Sequence, residues 1–150
     1  ELGANAFALP DGIVIVTDEI VALARHDDEL RAVFAHEIGH VRHRHAMRAL
    51  LASSMQALLA LAVLGDVSGA TSLVASVPAT LAHSAYSRDL EREADDVARG
   101  WLAAAGVPQS RYDDLLRRLE TQSGAGRWTY LSTHPSFEER LTGSEGSAAR

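Results

Sequence analysis

The chain has 150 residues, 47% of them hydrophobic and 23% charged, which suits one globular domain with a sizeable core. Its net charge of −6 argues against a nucleic-acid binder. It has no cysteine, which excludes a disulfide framework and a thiolate metal site.

In chain order, NAFALPDGIVIVT (Asn5 to Thr17) predicts two short strands around Pro10-Asp11-Gly12, a turn-forming trio. Thr17 or Asp18 then caps a short helix. The next helix is predicted to start near Asp27, with Leu30, Val33, Phe34, Ile38 and Val41 as a buried stripe. The pattern runs on through Met47, Leu50, Leu51, Met55, Leu58 and Leu59, and Gly65-Asp66 ends it. The stretch Ala49 to Leu64 is apolar enough to raise membrane insertion. It carries Ser53, Ser54 and Gln56, however, and falls short of the ~20 apolar residues a span needs. A buried or membrane-facing helix is expected there. Residues 66–82 are small and apolar, and Pro78 limits any helix through them.

A further helix is predicted from about Ser87 to Ala105, with Gly106 just past its end and Pro108 beyond. Ser110 with Asp113 resembles a capping box that opens a helix to about Glu120. Thr121 to Arg127 reads as a loop, and Ser136 with Glu139 as the capping box of a last short helix. We expect residues 1–142 to form one domain and residues 143–150 a disordered tail. The first residue is Glu1 and no signal peptide follows, so a fragment or mature form of a longer chain is expected.

The chemistry concentrates in His36-Glu37-Ile38-Gly39-His40, an H-E-x-x-H pattern on a predicted helix. Residues four apart lie one turn above each other, so His36 and His40 can grip one Zn²⁺. Glu37 cannot share that face fully, which suits a role on the water beside the metal. A third ligand must come from another rigid element. Glu91 and Asp95 share a face of the helix predicted through YSRDLEREADDVA, and the first can ligate zinc while the second accepts a hydrogen bond from a ligand imidazole. The competing view of this run is a charged surface balanced by Arg88, Arg92 and Arg99, and Glu93 is expected to point into solvent. His43, His45, Arg42, Arg44 and Arg48 read as a solvated or lipid-headgroup-facing patch. His26 and His83 read as structural or exposed.

HEIGH followed some fifty residues on by YSRDLEREAD resembles the HtpX and CAAX-prenyl-protease type of zinc metalloprotease, a gluzincin family. NAFALPDGIVIVT is similar to that family's strand segment before the H-E-x-x-H helix, and STHPSFEERL to its late His-Pro segment. The resemblance spans about Asn5 to Leu141. It implies an α+β, mostly helical, zincin-like domain with a small β-hairpin. It implies His36, His40 and Glu91 as ligands of one zinc per chain, Glu37 as general base and Asp95 as support for a ligand His. It further implies His134 and Arg140 beside the active site, in a transition-state or regulatory role, and Asn5 facing substrate. The membrane spans of HtpX-like members and the helical repeats of periplasmic relatives have no counterpart in these residues.

The expected function is zinc-dependent endopeptidase action on unfolded, flexible or membrane-associated proteins, in envelope quality control. The strand from Ile13 through Val14 and Ile15 is expected to hold an extended peptide by main-chain pairing. The expected partner is a peptide or protein substrate, with membrane association through the parent chain and a location in the cell envelope. The rival from another class is a non-catalytic binding domain for misfolded proteins with zinc as a staple. Retention of Glu37 argues against it, because a purely structural site has no need of a base. A nucleic-acid binder using RHRHAMR is disfavoured by the charge and by the lack of a stacking set.

Overall fold

A computed structural model describes residues 3–64, 88–122 and 130–134. Pro10-Asp11-Gly12 reverses the chain between β1 (Ala6–Ala8) and β2 (Val14–Val16), an antiparallel pair with Phe7 opposite Ile15. The turn needs a positive φ, which Gly12 supplies at 92° without a Cβ clash. Asp11 closes it by accepting from the Ile13 N–H at 3.1 Å. The hairpin is as expected. The role of Thr17 is not. It stands before α1 (Asp18–Leu23) with an extended backbone and no side-chain cap bond. Its hydroxyl oxygen instead accepts from the Asn5 N–H at 2.8 Å, fastening the helix to the strand.

The expected long helix is two helices, α2 (Asp27–Arg42) and α3 (His45–Leu64). The break falls at His43-Arg44, where Arg44 adopts φ 54°. A left-handed non-glycine residue costs about 1–3 kcal/mol, so the surrounding packing must impose it. Neither glycine nor proline marks the site, and periodicity alone runs straight through it.

The buried face of α2 also differs from the expected stripe. Phe34 and Ile38 are exposed, whereas Ala32, Val33, Ala35, His36, Glu37, Gly39 and His40 are buried. The reason lies in α4 (Arg88–Ala105), the principal packing partner of α2. The two backbones approach so closely that a Cβ on Gly39 would stand 2.8 Å from Ala94 Cα and 3.0 Å from its carbonyl oxygen. Only small residues fit that crossing, so the bulky apolar side chains are turned away from it.

Helix α4 ends at Gly106, as the sequence predicts, and α5 (Ser110–Gln122) follows. Its first turn is closed by backbone bonds from Tyr112 and Asp113 to the Gln109 carbonyl, at 2.9 and 3.2 Å. Leu115, Leu116 and Leu119 of α5 join Ala98 and Leu102 of α4, Ile20 of α1 and Val33 of α2 in one core. The buried Glu29 carboxylate links α2 to α5 by pairing with Arg118 and by accepting from the Arg25 N–H. A one-turn helix, α6 (Tyr130–Thr133), was not expected; the Tyr130 N–H donates to the Ala4 carbonyl at 2.9 Å and docks it beside β1.

Met47, Leu51, Met55, Leu58 and Leu59 of α3 are exposed. Among the described residues no helix is long and apolar enough to cross a membrane. The mostly helical fold with one small hairpin agrees with the expected class. Residues 66–82, the Ser136/Glu139 capping box, Arg140, His83 and the tail lie outside the described residues.

Two glycine substitutions should shift the melting temperature in opposite directions. Gly39→Ala should lower it by several degrees, because overpacking against backbone costs about 1–3 kcal/mol and outweighs the roughly 1 kcal/mol that Ala gains over Gly in a helix. Gly100→Ala should raise it, since its Cβ would meet nothing within 4 Å. Thermal melting of both variants checks this; an unchanged or higher value for Gly39→Ala would mean that α2 and α4 separate at no cost.

Candidate metal centre

Helix α2 carries His36, Glu37 and His40 on its buried side, and α4 presents Glu91 and Asp95 to them. His134, directly after α6, completes the cluster, and its ring is fully buried. Donor atoms of His36, His40, Glu91 and His134 lie within 4.8 Å of one another. His36 Nε2 is 2.9 Å from His40 Nε2, 3.3 Å from His134 Nδ1 and 3.4 Å from Glu91 Oε2. His40 Nε2 is 3.5 Å from Glu91 Oε1, and His134 Nδ1 is 3.1 Å from that oxygen.

These separations test whether a metal fits. A tetrahedral ion with bonds of about 2.0–2.2 Å needs donors roughly 3.3–3.6 Å apart. Three of the five distances match, and the His36–His40 and His134–Glu91 pairs, at 2.9 and 3.1 Å, are the short ones. Protonation points the same way. Asp95 Oδ1 lies 2.9 Å from His36 Nδ1, and an ionised carboxylate only accepts, so that nitrogen carries the hydrogen. His36 Nε2 is then a bare lone pair aimed into a cluster of other acceptors.

The charge state agrees. Burial, then the neighbouring His36 and His134, hold the His40 imidazole far below the usual histidine range. Burial pushes Glu91 up, but the facing His134 and its hydrogen bond prevail and hold the carboxyl well below the usual range. The Glu91 carboxylate beside the imidazoles of His36, His40 and His134 is a donor set suited to a divalent cation.

Glu37 is the anomaly. Its side chain is fully buried, and among the described residues neither carboxylate oxygen has a hydrogen-bond partner. His134 Nε2 stands 3.4 Å from Oε1. Buried polar groups are nearly always hydrogen-bonded, so such an exception calls for an explanation.

The sheet meets the cluster through β1. The Ala6 carbonyl lies 3.3 Å from His134 Nε2, while Val14 and Ile15 stand on β2 and Ile13 directly before it, with Ile13 and Ile15 exposed. Asn5 was expected to face substrate, but its side chain is turned inward. Its Oδ1 accepts from the Ala6 N–H at 2.8 Å and from the Thr133 hydroxyl at 3.2 Å, which ties β1 to α6. His134 also stacks on Tyr130, with ring centroids 4.4 Å apart. The late His-Pro segment therefore starts from an anchored helical turn.

Two residues read as surface belong to this assembly. His45, expected in a solvated patch, is fully buried, and burial lowers its pKa against the opposing hydrogen bond to Glu93. Glu93, expected in solvent, is half-buried and meets His45 Nε2 at 3.0 Å and the Arg48 guanidinium at 2.8 Å. Their link to the site depends on the chain break at Arg44, so a helical wheel drawn through that residue misplaces His45. The only available signal was the spacing of Glu93 beside Glu91. Arg42 and Arg44 are exposed, as expected of the patch.

Comparison with known proteins gives the same grouping. The sequence matches peptidase family M48 over residues 2–146. It is 32% identical to the mitochondrial metalloendopeptidase OMA1 of Arabidopsis thaliana, over 91% of this chain and 28% of that protein. It is 32% identical to a putative beta-barrel assembly-enhancing protease of Vibrio cholerae, over 96% of this chain and 32% of that protein. It is 29% identical to the metalloprotease YcaL of Escherichia coli, over 91% of this chain and 55% of that protein. The chain thus spans between about a quarter and just over half of the length of these relatives. With a match that takes in both helices of the His–Glu cluster, the hairpin before it and the His134 segment after it, this chain belongs to peptidase family M48.

Proposed function

We propose that the chain is the catalytic domain of a zinc-dependent metalloendopeptidase, spanning residues 1–142. The observation that carries this reading is the partnerless buried carboxylate of Glu37 beside three converging donors, His36, His40 and Glu91. Those three would hold one zinc, leaving a fourth position open, as catalytic sites do. Asp95 supports His36 by accepting from its Nδ1–H. When bound, zinc would supply Lewis-acid polarisation of the scissile carbonyl and acidify the attacking water.

The chain's own residues do the rest. Glu37 takes a proton from the attacking water as its oxygen bonds to the peptide carbonyl carbon. Glu37 then delivers that proton to the departing amine nitrogen as the C–N bond breaks. The water is consumed and the products are one acid and one amine. Glu37 is fully buried beside the cluster, with His134 Nε2 3.4 Å from its Oε1. His134 sits within reach of both Glu37 and the donor cluster, and two roles fit it. It donates to the developing oxyanion, or it fills the fourth position at rest. Arg140, six residues later, is proposed to act beside it.

Substrates are proposed to be unfolded, flexible or membrane-associated proteins. An exposed, short hairpin suits backbone recognition of an extended peptide through the strand of Ile13, Val14 and Ile15. The name of the Vibrio relative, a putative beta-barrel assembly-enhancing protease, favours a role in envelope protein quality control, at a membrane reached through the parent chain. A second reading has one observation behind it. Four donors, counting His134, would close the site as structural zinc sites are closed. That reading makes the domain a zinc-stapled binder of misfolded proteins, and it leaves the buried Glu37 carboxylate without a purpose.

Three variants separate these readings. Wild type should bind one zinc, and Glu91→Ala should lose both the metal and the metal-dependent rise in melting temperature. Stoichiometric zinc with unchanged melting in Glu91→Ala would remove Glu91 from the donor set. Glu37→Gln should keep zinc and fold but cleave casein at least ~10²-fold more slowly; undiminished cleavage would show that Glu37 is not the base, whereas a zinc-loaded wild type that cleaves nothing would leave the binder reading standing. His134→Ala, assayed at saturating zinc, should lower kcat by about 10²–10³-fold through loss of an oxyanion donor. A rise in kcat would identify His134 as a brake, and an unchanged kcat would remove both roles.

A further inference from the structure

We propose that His45 is a positioning residue for His40, the middle member of a His40–His45–Glu93 relay that fixes which ring nitrogen of His40 faces the donor cluster. This rests on the zinc reading above and adds residues that the reading does not use.

The geometry is that of three buried or half-buried groups in a row. His45 Nδ1 lies 2.8 Å from His40 Nδ1, and His45 Nε2 lies 3.0 Å from Glu93 Oε2. The same Glu93 oxygen takes the Arg48 guanidinium at 2.8 Å. Protons can be assigned along the row from its outer end. A carboxylate paired with arginine only accepts, so His45 Nε2 carries the hydrogen. A neutral His45 then offers a bare Nδ1, which only accepts. His40 must therefore donate from Nδ1, and its Nε2 is left as a bare lone pair. That Nε2 is the atom facing His36 Nε2 at 2.9 Å and Glu91 Oε1 at 3.5 Å. The tautomer a metal requires of His40 is thus set two residues away, by Glu93.

His36 reaches the same state by a shorter route, through Asp95 Oδ1 on its Nδ1 at 2.9 Å. Both controlling carboxylates belong to α4, one on each side of Ala94, the residue against which Gly39 packs. His40 Nδ1 meets His45 instead, and His45 reaches Glu93 on that same helix. The left-handed turn at Arg44 is what brings His45 back onto His40. A second metal at His43, His45 and Glu93, whose donor atoms also lie within 4.8 Å, is the competing use of these groups. It would need His45 Nε2 as a lone pair and would set a cation beside Arg48 on one oxygen, so the relay is favoured.

The test uses the full 150-residue chain and zinc itself, with affinity read by competition against a chelator. His45→Phe should bind zinc about 10–100-fold more weakly, the usual loss when a ligand histidine's partner is removed. His45→Gln should return to within a few-fold of wild type, because its amide oxygen accepts from His40 and its NH₂ donates to Glu93. Metal-free melting of each variant separates this from a packing role, which predicts loss in both and no rescue of affinity by Gln. Ring-nitrogen NMR of zinc-loaded wild type reads the relay without any substitution. It should report hydrogen on His40 Nδ1 and on His45 Nε2; hydrogen on His45 Nδ1 would overturn the relay. So would a His45→Phe affinity equal to wild type, or a second zinc equivalent abolished by His43→Ala. Failure of wild type to bind zinc at all would instead sink the zinc reading.

Discussion

The contact on which the rest depends is backbone against backbone, Gly39 of α2 on Ala94 of α4. It allows no side chain between the helices, and a single methyl group at Gly39 would have to displace main-chain atoms. That distance sets everything around it. The residues one turn before and one position after Gly39 are His36 and His40, and those flanking Ala94 include Glu91, Glu93 and Asp95. At a more usual interaxial separation of about 8–10 Å the carboxylates would stand too far off to meet imidazoles directly. Close approach turns two surface-like helical faces, one bearing histidines and one bearing acids, into a single buried donor set.

Burying that many titratable groups in a core of Ala and Leu is costly unless each is answered. The structure answers nearly all of them in pairs: His36 with Asp95, His40 with His45, His45 with Glu93, Glu29 with Arg118, and Asn5 with both Ala6 and Thr133. The acids outnumber the strong cations near the donors, and burial holds the His40 imidazole far below the usual histidine range. A cluster of that kind has an excess of lone pairs directed at one point. It is stable as a folded object chiefly when a cation shares the point, which links metal binding to folding stability.

Local signals carried much of this. Pro10-Asp11-Gly12 foretold the hairpin, Gly106 the end of α4, and the spacing of His36, Glu37 and His40 the chemistry of α2. The pairing of that helix with Glu91 and Asp95 followed from looking for a third donor on a second rigid element. What periodicity could not supply was the rotation of α2. A hydrophobic stripe points Phe34 and Ile38 inward by propensity, but the glycine crossing demands the narrow face, and tertiary packing prevails over pattern. It could not supply the break at Arg44 either, because the residue there is one that normally continues a helix. His45 and Glu93 were misread as surface for that one reason.

The departures from local rules are not scattered. Arg44 in a left-handed conformation, Gly39 in the middle of a helix and Glu37 buried without a hydrogen bond all lie within eight positions of one another in sequence. Each is unfavourable by itself, and each serves the same end. Gly39 weakens α2 but admits α4. Arg44 strains the backbone but returns His45 to His40. Glu37 forgoes hydrogen bonds but sets a carboxylate beside the donors. Strain that gathers around one point, in a chain otherwise built from consistent helical and hairpin signals, is what a site selected for reactivity leaves behind. A site selected only to hold a metal would have no reason to retain the third of these, and that asymmetry favours catalysis over a structural staple.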